Sequence, residues 1–368
     1  MSKDVTHRPT WRPPHCPNPA CDHHQPGSGS WPYRKHGFFR RRTSPQQIQR
    51  YLCLACRRSF SNQTFSTTYW HRRPTLLAEV MTHTVGGMAN RQIARTLGCA
   101  PSTVDAQLGH LGRHCLLFHR HLMQQLPPFV DIVIDGLSSF EFSQYYPFEH
   151  LHAVDRNTSW IIHHTDAPLR RRGRMTAAQQ RRRTQLEARH GRPDGRAIEH
   201  AADELLQVGL AGAVRAVVRS DEHRDYVRPV RRQPCEIEHR RTSSRRKRDR
   251  SNELFEANAL DVFLRHSSAN HRRETIAFSR RRADSAYRLS VFTVWRNCIK
   301  RRWEKRCRQT PAMLLGLAHR ALTADDVLNR RLFPEHYELP ASWRRYYWRQ
   351  VWTPVVGVNR EHRRKYAF

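Results

Sequence analysis

The sequence predicts an α/β protein in three parts: a small module stapled by cysteines, a helical module, and a larger unit of strands and helices. Three observations support this organisation. Four cysteines fall into two close pairs within residues 15–62, and residues 74–122 show helical periodicity. A run of β-branched residues then opens directly after Pro127 and Pro128. We therefore expect two small modules to precede one larger folded unit.

Charge is the strongest compositional signal. The 368-residue chain carries 65 Lys and Arg against 32 Asp and Glu, a formal net charge of +33. Such a surplus repels itself on a protein surface unless a polyanion neutralises it, and phosphate contacts gain affinity by releasing counterions. Nucleic acid is therefore the expected partner. An arginine-rich genomic composition is the alternative source of the charge.

The sequence also indicates the compartment. No stretch approaches the ~20 apolar residues that a membrane-spanning helix needs, and the N-terminal residues lack the apolar core of a signal peptide. We therefore expect no membrane partner and a cytoplasmic, nucleoid-associated protein. Nine cysteines in a reducing compartment favour a metal site and buried thiols over disulfides.

The two cysteine pairs have the spacing of metal ligands. Cys16 and Cys21 form the first pair, and Cys53 and Cys56 form the second. Each short loop presents two thiolates to one ion, and four thiolates complete the closed tetrahedral shell of Zn²⁺. Because protein ligands fill all four positions, we expect this zinc to be structural.

The segments around the pairs predict a zinc ribbon over residues 15–70. WPYRKHGFFRRR and QIQRYLC fit short strands, and Phe60 follows the second pair closely enough to cover the ion. Three nearby histidines are alternative ligands, but we expect them to lie exposed or to contact phosphate: His23, His24 and His36.

Residues 90–113 predict a helix-turn-helix within a DNA-binding domain over residues 71–125. Asn90 is expected to cap the first helix, and Gly98 to end it in a left-handed conformation. The second helix begins at Pro101 and Ser102. The expected buried positions of the two helices are Ile93, Ala94, Leu97, Val104, Leu108 and Leu111.

The N-terminal end of the second helix is the part that meets base edges in such a motif. The residues expected to contact DNA are Arg91, Ser102, Thr103 and Gln107. Gln107 is the best candidate for reading a base, because an amide side chain can bond to adenine at two atoms. The alternative is an ordinary helical hairpin that packs on the next domain.

Two carboxylates in the third part follow predicted strands. Phe129–Ile134 is an apolar, β-rich run that ends at Asp135, and the run AVRAVV leads into Asp221. A buried strand that ends in a carboxylate places it at the edge of a sheet, where active sites form. Further strands are expected at His150–Val154 and Ser159–His163, and helices at 197–209, about 252–266 and 279–300.

This order of elements resembles the RNase H-like fold of DDE transposases, in which two Asp on strands and an acidic residue on a helix hold two divalent ions. The segment RRETIAFSRR resembles the basic stretch that follows this helix in zinc-ribbon insertion-sequence transposases. With the ribbon and the helix-turn-helix, the resemblance covers residues 15–300. It implies an RNase H-like catalytic domain over residues 126–305 that binds Mg²⁺ or Mn²⁺ through Asp135 and Asp221.

The third catalytic ligand is left open between Asn258, Asp261 and Glu256. Glu256 lies 35 positions after Asp221, a spacing typical of the family. The family also has a basic residue two helical turns beyond the acidic one, and by that measure Arg265 points back to Asn258, with Asp261 one turn further on. At 3.6 residues per turn, Glu256 lies about 200° around the helix from Asn258. Asn258 together with Asp261 is therefore the preferred choice.

The remaining segments carry no motif. Residues 1–14 are expected to be a mobile N-terminus, residues 168–196 a basic helical insertion on the surface, and residues 240–250 a solvated loop. Residues 306–368 form a basic aromatic C-terminal segment without a predicted place in the fold. We expect its stretch WRRYYWRQVW either to stack on DNA bases or to form a buried subunit contact.

Together these features predict a DNA transposase that binds element ends and catalyses metal-dependent DNA cleavage and strand transfer. Its expected partners are double-stranded DNA, at both element ends and target, and further copies of the chain, because two ends must be joined. The alternative is a non-catalytic zinc-ribbon and helix-turn-helix DNA-binding regulator that carries a degenerate nuclease-like domain. The missing unambiguous Glu on the catalytic helix leaves this alternative open.

Overall fold

A computed structural model describes residues 11–27, 30–42, 46–69, 71–243, 245–305, 307–356 and 361. This part of the chain is a mixed α/β protein with two sheets, one of three strands and one of five. The expected mobile N-terminus falls mostly on residues 1–10, outside the described residues, and residues 11–14 form no helix or strand. Within the described residues, no helix is both long enough and apolar enough to cross a membrane.

The first sheet carries the cysteines. It is antiparallel, in the order β1 (Tyr33–Arg40), β2 (Gln47–Cys53) and β3 (Ser59–Ser61). The two strands predicted here are confirmed. So few residues cannot bury a conventional core, and aromatic rings fill the space instead. Phe60 stacks on Trp31 and on Tyr51, and it is buried as expected.

The helical module consists of α1 (Leu76–Val85), α2 (Asn90–Thr96) and α3 (Pro101–Met123). The predicted interior is confirmed, with Leu97 partly buried and the other five positions buried. Gly98 has φ +58°, the left-handed conformation expected after a helix end. The prediction that Asn90 caps α2 is wrong. The helix begins at Asn90 itself, and the side-chain amide contacts Asp105 and Arg288 instead.

The second sheet has five strands: β4 (Asp131–Phe140), β5 (Pro147–Asp155), β6 (Ile161–Pro168), β7 (Arg215–Asp221) and β8 (Glu236–Thr242). Their order across the sheet is β6-β5-β4-β7-β8. The first three strands form an antiparallel meander, β7 lies parallel to β4, and β8 lies parallel to β7. The parallel strands are joined by crossovers that contain helices.

Helices cover both faces of this sheet. On one face, α5 (Ala197–Gly209) packs on Ile132 and Ile134 of β4. The short α6 (Val227–Arg232) follows β7. On the other face, α7 (Phe255–Ser267) and α8 (Arg282–Val294) pack on Val133 and Leu137. Because strand residues alternate between faces, Asp135 lies on the face that α7 and α8 cover.

Two expectations for this sheet need correction. Strand β8 was not predicted, and residues 240–242 of the expected loop belong to it. As an edge strand it alternates charged exposed residues with half-buried ones, and Ile237 is its single aliphatic residue. Asp135 was expected at the end of a strand, but β4 continues to Phe140 because it stays paired with β5 after β7 has ended.

The basic insertion forms α4 (Ala177–His190), a helix with no buried residue. Thr176 and Gln179 cap its N-terminus reciprocally. Because α4 has no apolar face to bury, its N-terminal cap stabilises the helix itself. Ion pairs such as Arg170–Glu187, at 2.7 Å, connect it to the preceding segment. The predicted surface helix is confirmed in this segment.

The C-terminal segment adds α9 (Pro311–Leu314), α10 (Ala324–Leu328) and α11 (Ala341–Tyr347). Trp343, Tyr346 and Tyr347 of its aromatic stretch are buried against α3 and α8. The indole N–H of Trp343 donates to the His164 carbonyl at 2.8 Å. The expectation of DNA stacking or a subunit contact is therefore wrong for these three rings, because they complete the core of their own chain.

We predict that Gly112→Ala destabilises the protein, although alanine normally stabilises a helix by about 0.5–1 kcal/mol relative to glycine. At Gly112 α3 and α8 come so close that an added Cβ would lie 2.4 Å from Tyr287 Cβ. The expected loss is about 1–3 kcal/mol, measured by urea unfolding. Gly195→Ala, where a Cβ would meet open space, is the control. A Gly112→Ala protein as stable as the parent would contradict this packing.

Candidate functional site

The four predicted zinc ligands lie together. The Sγ atoms of Cys16 and Cys56 are 3.7 Å apart, and those of Cys21 and Cys53 are 3.9 Å apart. All four sulfur atoms lie within 4.8 Å of one another. Four thiolates bound tetrahedrally at about 2.3 Å would be separated by about 3.8 Å. The donor set and its spacing therefore fit one structural zinc ion.

The surroundings of the cluster lower the pKa of one thiol, Cys53, and raise that of Cys16 and Cys21. The indole N–H of Trp31 points at Cys53 Sγ, 3.3 Å away. Burial alone would raise the pKa of Cys53, but N–H donors from Cys56 and Trp31 lower that pKa to about 7. Burial raises the pKa of Cys16. A bound cation would offset the cost of ionising that buried thiol.

One expectation about nearby histidines is wrong. His36 is exposed as expected and His23 is half-buried, but His24 is buried, with 2% of its surface exposed. Its ring packs against His15 and His336. Sequence patterns could not predict this packing, because His336 lies 312 residues after His24 in the chain.

The two aspartates predicted on strands lie beside each other in the second sheet, at the point where β7 ends. In the parallel pairing of β4 with β7, Val133 is opposite Arg219. Two residues further along each strand lie Asp135 and Asp221, on the same face as that pair. They are close enough for the charge of Asp221 to act on Asp135. The sheet therefore does not separate the two carboxylates.

A third carboxylate, from α7, belongs to the same group. Burial raises the pKa of Asp135 to about 6, and the charge of Asp221 adds to this. Burial raises the pKa of Asp261 to about 7, with Asp135 as its largest neighbouring influence. Arg248, from the loop after β8, partly offsets both shifts. The charge of Asp221 thus acts on Asp135, and the charge of Asp135 acts on Asp261.

Glu149 of β5 is a nearby carboxylate that the sequence did not reveal, and its pairing with Ser138 places it on the opposite face of the sheet from Asp135. Burial, together with the charges of Asp135 and Asp221, raises its pKa to about 7. A Cβ at Gly136 would lie 1.9 Å from Glu149 Oε1, so the glycine makes room for this carboxylate. The Asp-Gly pair at 135–136 was the available signal, but it does not name the residue that fills the space.

His152 points into the acidic group from β5. It is 1% exposed, and its Nε2 lies 3.8 Å from Asp261 Oδ1. Both atoms are buried without a hydrogen-bond partner, which is costly unless a ligand satisfies them. Burial lowers the pKa of His152 to about 4, so the ring is neutral and offers Asp261 no permanent counter-charge.

The other candidates on α7 are placed differently. The side chain of Asn258 is half-buried and donates to the Leu254 carbonyl at 3.0 Å. Glu256 is buried, contacts the Ser159 hydroxyl and pairs with Arg302 at 2.9 Å. Arg265 lies near enough to Asp261 to oppose its raised pKa. Of these residues, Asp261 is the carboxylate whose pKa is raised by the charge of Asp135.

The acidic group is not a preformed metal cage. Among the described residues, two groups have all their ligand atoms within 4.8 Å of one another, the four cysteines and a trio of histidines. The carboxylate oxygens of Asp135, Asp221 and Asp261 are more widely spaced. Hard oxygen donors at a negatively charged edge nevertheless fit Mg²⁺ or Mn²⁺.

Three of the four residues expected to contact DNA are at least partly exposed, and their contact with DNA stays a prediction. Arg91 and Ser102 are exposed and Thr103 is half-exposed. Gln107 is 9% exposed and its Oε1 is buried without a partner, so the expectation that it reads a base is wrong. It lies three residues after Val104, on the stripe of α3 that faces the core.

Arginine is concentrated at a cleft of about 950 Å³ on the ribbon. Five arginines line it together with Phe39 and Tyr69. The arginines are Arg41, Arg42, Arg50, Arg58 and Arg72. Most of the lining surface is apolar, and the arginine guanidinium groups are the part of it that suits a phosphate backbone.

Comparisons with known proteins add little. No family model matches the chain, and no curated protein matches it. A solved structure, the simian T-cell lymphotropic virus intasome in complex with PP2A regulatory subunit B56 gamma, contains a chain that is 14% identical. That match covers 66% of this chain and 73% of the other, with a TM-score of 0.26. A likeness at this level establishes neither a family nor an activity.

We predict that Asp261→Asn stabilises the protein at alkaline pH when Mg²⁺ and Mn²⁺ are absent and zinc is left in place. The folded-state pKa of Asp261, about 7, lies above its usual value of 3.8. The wild-type carboxylate therefore loses stability as pH rises towards and through 7. The variant should gain on the order of 1 kcal/mol at pH 8 and less at pH 5, measured by thermal unfolding.

Asp325→Asn, at an exposed aspartate of α10, is the control variant for this comparison. Added Mn²⁺ should stabilise the wild type more than Asp261→Asn. A variant that is less stable than the wild type at pH 8 would show that this carboxylate is satisfied by the fold.

Proposed function

We propose that the chain is a DNA transposase whose second sheet, with α5, α7 and α8, is an RNase H-like catalytic core. The observation that carries the proposal is the parallel register that sets Asp135 beside Asp221, with Asp261 of α7 next to His152, the residue opposite Asp135 on β5. An antiparallel meander followed by two parallel strands, in the order β6-β5-β4-β7-β8, supports it.

Binding of a cation would explain why the fold keeps these buried carboxylates close to one another. Buried carboxylates that raise one another's pKa store electrostatic repulsion, which a fold without a ligand would be expected to avoid. Two divalent ions would activate the attacking oxygen and stabilise the leaving oxygen of a phosphodiester. Within this proposal Asp135, Asp221 and Asp261 hold the ions, Glu149 adds charge at the edge, and His152 orients Asp261.

Two basic surfaces supply the contacts to double-stranded DNA in this proposal. The loop after β8 places Arg248 beside the carboxylates. The ribbon cleft offers further arginines for the phosphate backbone. The exposed start of α3, with Ser102 and Thr103, would meet base edges. Several chains acting together on two DNA ends remain part of the proposal.

The test of catalysis is cleavage of supercoiled plasmid DNA in Mn²⁺ and joining of DNA that flanks the gene. Asp135→Asn, Asp221→Asn and Asp261→Asn should each lower the rate about 1000-fold, equivalent to roughly 4 kcal/mol of transition-state stabilisation. Glu236→Gln, on the exposed edge of β8, is the matched control and should retain the parental rate. If the three aspartate variants kept the parental rate, these residues would not form the catalytic site.

A regulator without catalysis is the second candidate. It is favoured by the engagement of Glu256 with Arg302 and Ser159, which removes that glutamate from the acidic group. It is also favoured by the wide spacing of the carboxylates among the described residues. Sequence-specific DNA binding with no cleavage or joining in Mg²⁺ or Mn²⁺ would support the regulator.

We predict that DNA binding depends on Arg91 and Ser102 but not on Gln107. Arg91→Ala and Ser102→Ala should each weaken binding about fivefold, or about 1 kcal/mol, because each removes one exposed contact. Gln107→Leu should leave affinity unchanged, since this side chain faces the core. Fluorescence anisotropy at fixed salt measures the affinities. Loss of binding in Gln107→Leu, with folding intact, would contradict the placement of α3.

A further inference from the structure

A second group of potential metal ligands adjoins the cysteine cluster. His15 and His24 belong to the ribbon, and His336 comes from the C-terminal segment. One ring nitrogen from each lies within 4.8 Å of the others. The ring centroids are 4.5–5.3 Å apart, and the three side chains are buried or half-buried. Three imidazoles thus converge where two distant parts of the chain meet.

Backbone carbonyls determine which nitrogen of each ring is free. His15 Nδ1 and His24 Nδ1 donate to the Cys16 carbonyl, at 3.1 and 2.8 Å. His336 Nε2 donates to the His24 carbonyl at 3.0 Å. A carbonyl oxygen only accepts, so each of these nitrogens carries the proton. The lone pairs that remain are on His15 Nε2, His24 Nε2 and His336 Nδ1.

This pattern is the one that metal-binding histidines show, since such a ring usually donates its other N–H to a carbonyl or a carboxylate. His24 Nε2 is buried without a hydrogen-bond partner. The nearest acidic atom is Glu335 Oε2, at 3.8 Å. An unsatisfied buried nitrogen is costly, and a cation at the centre of the group would satisfy it.

We propose that His15, His24 and His336 bind a transition-metal dication of the zinc class, with the fourth position left to water or to Glu335. Neutral imidazole and carboxylate are ligands that Zn²⁺ accepts in tetrahedral sites. The group differs from the cysteine cluster in every ligand side chain. The two are linked through Cys16, whose thiol belongs to one and whose carbonyl orients two rings of the other.

The site fastens the C-terminal segment across the ribbon. Phe333 already packs in the aromatic core of the ribbon, and the backbone N–H of Arg331 donates to the Phe65 carbonyl at 2.8 Å. Because α11 of the same segment packs on α3 and α8, a metal at His336 would join the ribbon to the larger unit. Binding to the folded chain alone would stabilise it by mass action.

The test uses the full chain and variants that keep each backbone hydrogen bond while removing the ligand nitrogen. In His24→Asn the amide nitrogen occupies the place of Nδ1, and in His336→Gln it occupies the place of Nε2. His23→Asn, at a half-buried histidine outside the trio, is the matched control. Zinc per chain is measured by elemental analysis after dialysis, and Co²⁺ spectra separate thiolate from imidazole coordination.

The wild type and His23→Asn should each bind two zinc ions, and His24→Asn and His336→Gln one. The remaining ion should show thiolate coordination, and these two variants should lose part of the zinc-dependent rise in thermal midpoint. A wild-type chain that binds one ion, in the thiolate site, would overturn the proposal. So would two ions in every variant. The cleavage assays are independent of this result, because no residue of the trio belongs to the acidic group.

Discussion

Repulsion between buried carboxylates is the constraint on which the rest of this structure depends. Burial raises the pKa of Asp135, Asp261 and Glu149, and a neighbouring carboxylate raises each pKa further: Asp221 for Asp135, and Asp135 for both Asp261 and Glu149. The fold keeps them together nonetheless, with Gly136 clearing space and His152 offering a neutral ring. A cation bound among the carboxylates would offset this repulsion, and the proposed chemistry requires such a cation.

Packing between helices fixes the position of the acidic group relative to the helical module, which is expected to contact DNA. Helix α3 begins at an exposed turn and ends buried against α8, which also packs on the sheet. Arg272 and Arg288 donate to the carbonyls of Gly87 and Met88, just before α2. The helical module is therefore braced against the larger unit rather than attached by a loose linker.

Local patterns predicted what local physics controls. Cysteine spacing identified the four thiols, helical periodicity identified α2 and α3, and strand-borne carboxylates identified Asp135 and Asp221. What failed depended on contacts between distant residues. Gln107 is polar but lies on the buried stripe of α3, and Glu149 and His336 join their groups only through tertiary packing. Strand β8 was missed because an edge strand needs little apolar sequence.

The most direct measurement is a crystal structure of the full chain soaked in Mn²⁺, with the ions located by anomalous scattering. We predict that Asp135, Asp221 and Asp261 bind Mn²⁺ and that their carboxylates lie closer together than without the ions. Glu256 should keep its contact with Arg302. An acidic group that stays free of Mn²⁺ at concentrations supporting DNA cleavage would contradict the central claim. So would Mn²⁺ bound at Glu256 instead.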